Sequence, residues 1–130
     1  MALFQAFDIS ASGMTAERFR MDTIAENIAN VNTTRTEDGT PYRRKIVTFA
    51  EKEVTSFSRY YQNARSKFVG IMEYDPSNPD ADENGYVSYP NVNTVTEMTN
   101  LIDASRAYEA NTTAFEAAKS IAQSGLSIGK

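Results

Sequence analysis

Ser12-Gly13-Met14-Thr15-Ala16-Glu17-Arg18-Phe19-Arg20-Met21-Asp22-Thr23-Ile24-Ala25-Glu26-Asn27-Ile28-Ala29-Asn30-Val31 carries the spacing that decides the fold. Extended back to Phe4, a seven-residue register runs through Phe4, Phe7, Ala11, Met14, Arg18, Met21, Ala25 and Ile28, and every member except Arg18 is apolar. Alternating steps of three and four mark the seam of a helix that packs on another helix. Ile24 and Val31 widen the stripe. A helix is expected from about Leu3 to Asn30, ~40 Å long at the α-helical rise, which is long for a chain of 130 residues. Gly13 inside it costs up to about 1 kcal/mol relative to Ala, so the first two turns are expected to fray when unpaired. The run Asn27 to Thr34 should end the helix, because Asn and Thr side chains compete for local backbone groups. Asp38-Gly39-Thr40-Pro41 then reads as a turn.

The other end of the chain mirrors this pattern. Thr94-Val95-Thr96-Glu97 fits a capping box that starts a second helix. Its register gives Leu101, Ala104, Tyr108, Asn111, Phe115, Ala118, Ala122 and Gly125, flanked by Ala107, Ala114, Ile121 and Ile128. Most of these residues are small, which permits close helix–helix approach. Asn111 is a polar interruption suited to fixing register at some cost in stability. Gly125 and Gly129 mark the end.

The middle, Tyr42 to about Asn93, is irregular and β-prone. Ile46, Val47, Phe49 and Val54, then Phe68-Val69-Gly70-Ile71-Met72, then Tyr86-Val87-Ser88-Tyr89 suggest two to four short strands, and Asn84-Gly85 is a tight-turn pair. A hairpin between Phe68 and Tyr89 is one possibility that the pattern leaves open. This segment is too short to bury a large core alone.

Composition narrows the chemistry. The chain has no Cys, His or Trp, which removes disulfides, thiolates and the commonest general base and metal ligand. Net charge is −4, which argues against nucleic-acid binding. Arg35 to Lys67 holds eight basic and four acidic residues, whereas Phe68 to Ser105 holds seven acidic residues and no Lys or Arg. The imbalance fits either complementary contacts between copies or two solvated faces. No stretch approaches the ~18 apolar residues of a membrane span, and Met1 to Gln5 lacks the basic start of a secretory signal.

Three local clusters invite a chemical reading. Asp80-x-Asp82-x-Asn84-Gly85 matches the first half of a calcium-binding EF-hand loop, but the twelfth position is Asn91 and prolines flank the loop, so a solvated acidic turn is the better reading. Arg43-Arg44-Lys45 suits a subunit contact or strand end better than phosphate binding. Phe57, Tyr60 and Tyr61 suit a partner patch or a core edge. There is no phosphate-binding loop and no nucleophile with a plausible base, and no cofactor or metal site is expected.

Ser12 to Thr33, above all Ala29-Asn30-Val31-Asn32-Thr33, resembles the N-terminal signature of flagellar rod and hook proteins. Glu97-Met98 and Ala104-Ser105-Arg106-Ala107-Tyr108-Glu109-Ala110-Asn111 resemble the C-terminal signature of the same family. Tyr74 to Val87, Pro90-Asn91-Val92-Asn93 and Pro41-Tyr42-Arg43-Arg44-Lys45 are similar to its proximal rod members. The segment before Tyr74 is shorter than that family leads one to expect. The resemblance implies a non-enzymatic structural subunit exported unfolded by the flagellar type III apparatus. It would polymerise into the proximal rod, which passes torque from the membrane ring to the distal rod and hook. Other copies and the rod proteins FlgB and FlgF and the adaptor FliE would be its neighbours. Its place would be the basal-body rod in the periplasmic space, reached without a cleavable signal.

The expected architecture is mainly α with a small β-containing middle, the long terminal helices forming an antiparallel coiled-coil-like pair. Residues 1–34 form the first helix and signature, 35–93 the middle and 94–130 the second helix, all in one structural unit. Phe7, Met14, Met21, Ile24, Ile28, Asn30, Val31, Asn32, Leu101, Tyr108, Asn111, Phe115 and Ile121 are the expected assembly interface. The isolated subunit is expected to have loose ends. The competing reading is a coiled-coil secretion chaperone or adaptor; a carboxylate enzyme using Asp80, Asp82 or Glu83 lacks an apolar pocket to raise a pKa.

Overall fold

The structure, a computed structural model, describes residues 2–50, 60–65 and 70–129. The terminal helices form as their periodicity demands: α1 is Ala2–Ala29 and α2 is Thr94–Ile128. They run antiparallel, since Phe7 meets Phe115 and Asn27 meets Glu97. The expected mainly helical pair with a small β middle is therefore present. α2 has 35 residues against 28 in α1, so its last turns extend past the start of α1.

The seam of α1 differs from the simple heptad. Its buried residues are Ser10, Gly13, Ala16, Glu17, Thr23, Ile24 and Asn27. Phe7, Met14, Met21 and Ile28 are half-buried, whereas Phe4, Arg18 and Ala25 are exposed. One string of the register is thus displaced by a residue, from 4, 11, 18 and 25 towards 3, 10, 17 and 24. Close approach explains the displacement. A Cβ on Gly13 would come within 2.5 Å of Asn111 Oδ1, so only small side chains fit the centre and large ones move to its edge. The α2 register holds: Ala104 and Ala118 are buried, and Leu101, Tyr108, Asn111, Phe115 and Ala122 are half-buried. Gly125 is exposed on the overhanging end.

The start of α2 is capped by Asn93, whose side-chain oxygen accepts from Thr96 N at 3.1 Å. Thr94 is already helical, and Glu97 is drawn into tertiary contacts, so the capping box does not form. At the end of α1, Asn30 makes the local bonds, donating to Glu26 O and accepting from Thr33 Oγ1. Asn27 points into the fold.

Among the described residues, four short strands make two antiparallel ribbons. β1 (Lys45–Ala50) pairs with β2 (Tyr60–Arg65), Lys45 opposite Arg65. β3 (Ile71–Tyr74) pairs with β4 (Tyr86–Tyr89), Ile71 opposite Tyr89. The hairpin left open by the sequence pattern is present from Ile71. β2 was not anticipated, because Gln62, Asn63, Ala64 and Arg65 have weak strand preference and pairing with β1 supplies it. Val54, Phe57, Phe68 and Val69 lie outside the described residues.

The β3–β4 turn needs its glycine. Gly85 has φ +82°, and a Cβ there would sit 2.9 Å from the Tyr74 ring, which stacks edge-on against Tyr86 at 5.3 Å. Gly39, at φ +75°, closes the expected turn by donating to Thr36 O. Among the described residues, the buried apolar side chains of the middle are Tyr42, Val87, Pro90 and Val92, consistent with its small size.

Candidate assembly surface

A buried polar clasp ties the three parts of the chain together. Asn27, 1% exposed, projects from the last turn of α1. Its Oδ1 accepts from Tyr42 Oη and from Lys45 N, each at 2.9 Å. Its Nδ2 donates to Lys45 O at 2.9 Å and to Glu97 Oε2 at 3.3 Å. The side-chain amide thus engages both backbone groups of Lys45 as a neighbouring strand would, at the start of β1. Glu97, with no exposed surface, also accepts from Arg44 Nε. Arg44 N donates to Asn91 Oδ1 at 3.1 Å. Lys45 Nζ adds an ion pair to Glu26. A buried carboxylate is tolerated when a cation and hydrogen bonds meet it, and Arg44 and Asn27 do so here.

Away from the clasp, the seam is held by ring and edge contacts. The Phe7 and Phe115 rings lie 5.0 Å apart at 62°, a favoured edge-to-face geometry. Thr112 Oγ1 lies 3.3 Å from Met14 Sδ while bonding to Tyr108 O. Asn111 seats on Gly13 and donates to Ala107 O at 2.9 Å.

The residues singled out from the sequence divide by position. Phe7, Met14, Met21, Ile24 and Ile28 line or edge the α1 seam, and Leu101, Tyr108, Asn111 and Phe115 do so on α2. Asn30 and Val31 are half-buried just beyond α1, Asn32 is exposed, and Ile121 is exposed on the α2 overhang. Sequence reasoning missed the clasp of Asn27, Tyr42, Arg44 and Glu97. It also missed a second apolar stripe on α2, Val95, Met98 and Ile102, which are 74%, 51% and 56% exposed. The i, i+3, i+7 spacing of that stripe was legible; the clasp had no periodic signal.

The acidic turn is an organised loop. Asp82 Oδ1 accepts from Asn84 N and Tyr86 N, and Asp75 Oδ1 accepts from Ser77 N and Oγ. Asp80 takes a hydrogen bond from Thr34 Oγ1 at 2.7 Å and pairs with Arg35 at 3.8 Å, fastening the loop to the connection after α1. Among the described residues, no group of three His, Cys, Asp or Glu is placed to hold a metal ion.

Two family descriptions match the chain. Residues 7–35 match the flagella basal body rod protein family, and residues 83–128 match the C-terminal family of the flagellar basal body rod FlgEFG proteins. The matched segments contain most of α1 and all of α2. Flagellar basal-body rod protein FlgC of Borreliella burgdorferi is 40% identical, with 98% of each chain covered. That of Aquifex aeolicus is 46% identical over 93% of this chain and 92% of the relative.

The chain belongs to the FlgC family.

It is a structural subunit of the flagellar basal-body rod and not an enzyme. FlgC of Bacillus subtilis is 39% identical with both chains covered fully, and the alignment spans 151 positions. This chain has 130 residues, so that relative carries residues absent here. The matches give the chaperone or adaptor reading no support. Within the FlgC family, the surface that matters is the one on which subunits meet, and the helix pair with its uncovered apolar residues is the candidate.

Proposed function

We propose that the chain polymerises through its terminal helices into the proximal rod. The observation that carries this reading is the Val95–Met98–Ile102 stripe, on the side of α2 turned away from the α1 seam. Apolar side chains in a row on a helix already paired on its other face mark a second contact surface. Phe7, Met14, Met21, Ile24, Ile28, Leu101, Tyr108, Asn111 and Phe115 form the helix-pair part of the assembly unit. Asn30, Val31, Asn32 and Ile121 supply contacts at its ends. Residues 1–34, 35–93 and 94–130 act as one structural unit, since the clasp joins the middle to both helices. Its neighbours in this reading are further copies, FlgB, FlgF and FliE, and it reaches the periplasmic rod unfolded through the flagellar type III apparatus, without a cleavable signal. Torque then passes through packed helices from the membrane ring to the distal rod and hook.

The test is Met98→Glu together with Ile102→Glu in cells lacking the native copy. Both sites are exposed, so the purified variant keeps its helix content and melting temperature. The expected result is loss of the subunit from purified basal bodies and loss of motility. Normal basal bodies and swimming would refute the stripe as an assembly surface.

A further inference from the structure

The β3–β4 ribbon is held to the rest of the chain by one strand and leaves the other bare. On β4, Val87 has no exposed surface and Ser88 and Tyr89 are half-buried, whereas all four side chains of β3 are exposed. Side chains alternate between the two faces of a strand, and residues paired across strands share a face. Ile71 pairs with Tyr89 and Glu73 with Val87, so these four share the face on which Val87 is buried. Met72 and Tyr74 lie on the opposite face, with Tyr86 across from Tyr74. These three are 57%, 64% and 43% exposed. The two Tyr rings meet edge-on at 5.3 Å, so the patch has a fixed shape. Met and Tyr are enriched where protein surfaces meet, and a two-stranded ribbon is marginally stable without a further layer. The charge around this patch has one sign: the ribbon and its turn carry Glu73, Asp75, Asp80, Asp82 and Glu83 and no Lys or Arg.

We infer that the Met72–Tyr74–Tyr86 face receives a basic surface of a second copy, drawn from that copy's residues 35–67. An acidic rim selects a cationic partner, and a guanidinium stacks on Tyr faces. The chain's own cations are concentrated in residues 35–67, with eight basic residues against four acidic, and Arg35 and Arg43 are exposed. Charge complementarity therefore names the second copy as the occupant. A patch rimmed by one sign of charge repels its own image, which disfavours a two-fold contact. The contact is heterologous, and such contacts repeat into rings or open helical filaments, as a rod subunit requires. It is separate from the Val95–Met98–Ile102 stripe and rests only on the reading that copies assemble.

The experiment uses the full chain in cells lacking the native copy. The photo-crosslinker p-benzoyl-phenylalanine replaces Tyr74 in one variant and Met72 in another, and basal bodies are purified after irradiation. The expected result is an adduct of twice the subunit mass, linked within residues 35–67 of the second copy as read by mass spectrometry. An adduct only with another protein, a link elsewhere in the second copy, or no adduct from swimming cells overturns the proposal. In parallel, Glu73→Lys with Glu83→Lys is co-expressed at equal level with differently tagged wild type. The purified variant should keep its melting temperature and be depleted severalfold from basal bodies, and Glu73→Gln with Glu83→Gln should be depleted less. Equal incorporation of the Lys variant overturns the proposal. A lowered melting temperature also overturns it, because the two carboxylates then serve the fold. If neither crosslinking variant is incorporated, the charge variants decide. Absence of wild type from basal bodies refutes the assembly reading itself, whereas wild type present without the adduct refutes this contact alone.

Discussion

Replacing Asn27 should be among the most destabilising single changes in the chain. Its side chain makes four hydrogen bonds, to Tyr42 Oη, both backbone groups of Lys45 and Glu97. Asn27→Ala leaves those partners without it and opens a space between α1, β1 and α2. Each buried group left unpaired costs roughly 1–3 kcal/mol. Lys45, nearer the surface, recovers part of that from water. A net loss of about 3–5 kcal/mol is expected, a large share of the roughly 5–15 kcal/mol that holds a typical domain together. Asn27→Asp separates hydrogen bonding from shape. It keeps the acceptor for Tyr42 and Lys45 N, but it cannot donate to Lys45 O and it sets a second carboxylate against Glu97. It should therefore be no better tolerated than Ala. Urea unfolding followed by far-ultraviolet circular dichroism gives both values from the shift in midpoint at constant slope. A loss under about 1 kcal/mol for Asn27→Asp would refute the clasp as the joint between helices and middle.

Gly13→Ala should destabilise the chain despite the better helix propensity of Ala, because the added methyl collides with Asn111; in an Asn111→Ala background the same change should stabilise by up to about 1 kcal/mol, and denaturant midpoints of the four variants measure the coupling. Asn93→Ala should cost about 1 kcal/mol through loss of the cap on α2, read as a lower thermal midpoint, whereas Thr94→Ala should change it little. Calcium titration of the full chain should give no binding heat and no shift in melting, since Asp75 and Asp82 are engaged within the loop and Asp80 is held by Thr34 and Arg35.

The two helices and their antiparallel pairing were legible because periodicity is a local property. Residues spaced by three and four must share a helix face, whatever that face later meets. The α2 register could be followed from Leu101 to Ala122, since its small residues are also its most buried ones. On α1, hydrophobicity was a poorer guide. The closeness of the two backbones at Gly13 puts Ser10 and Glu17 in the seam and turns Phe4 and Arg18 outward. The Asn84-Gly85 turn was readable from residue types, as were the flagellar signatures at both ends.

Tertiary structure alone decided the roles of Asn27 and Glu97. In the sequence, one resembles a helix stop and the other half of a capping box. In the fold, both are drawn inward because the start of β1 sets Arg44 and Lys45 against Glu97 and Asn27, and a hydrogen bond between residues 70 positions apart leaves no periodic trace. The same holds for β2, whose strand character comes from its partner. Local spacing thus determined which segments are helical, and the resemblance of the signatures on them pointed to the family. The contacts that lock the segments into one unit depend on distances the chain acquires only after folding.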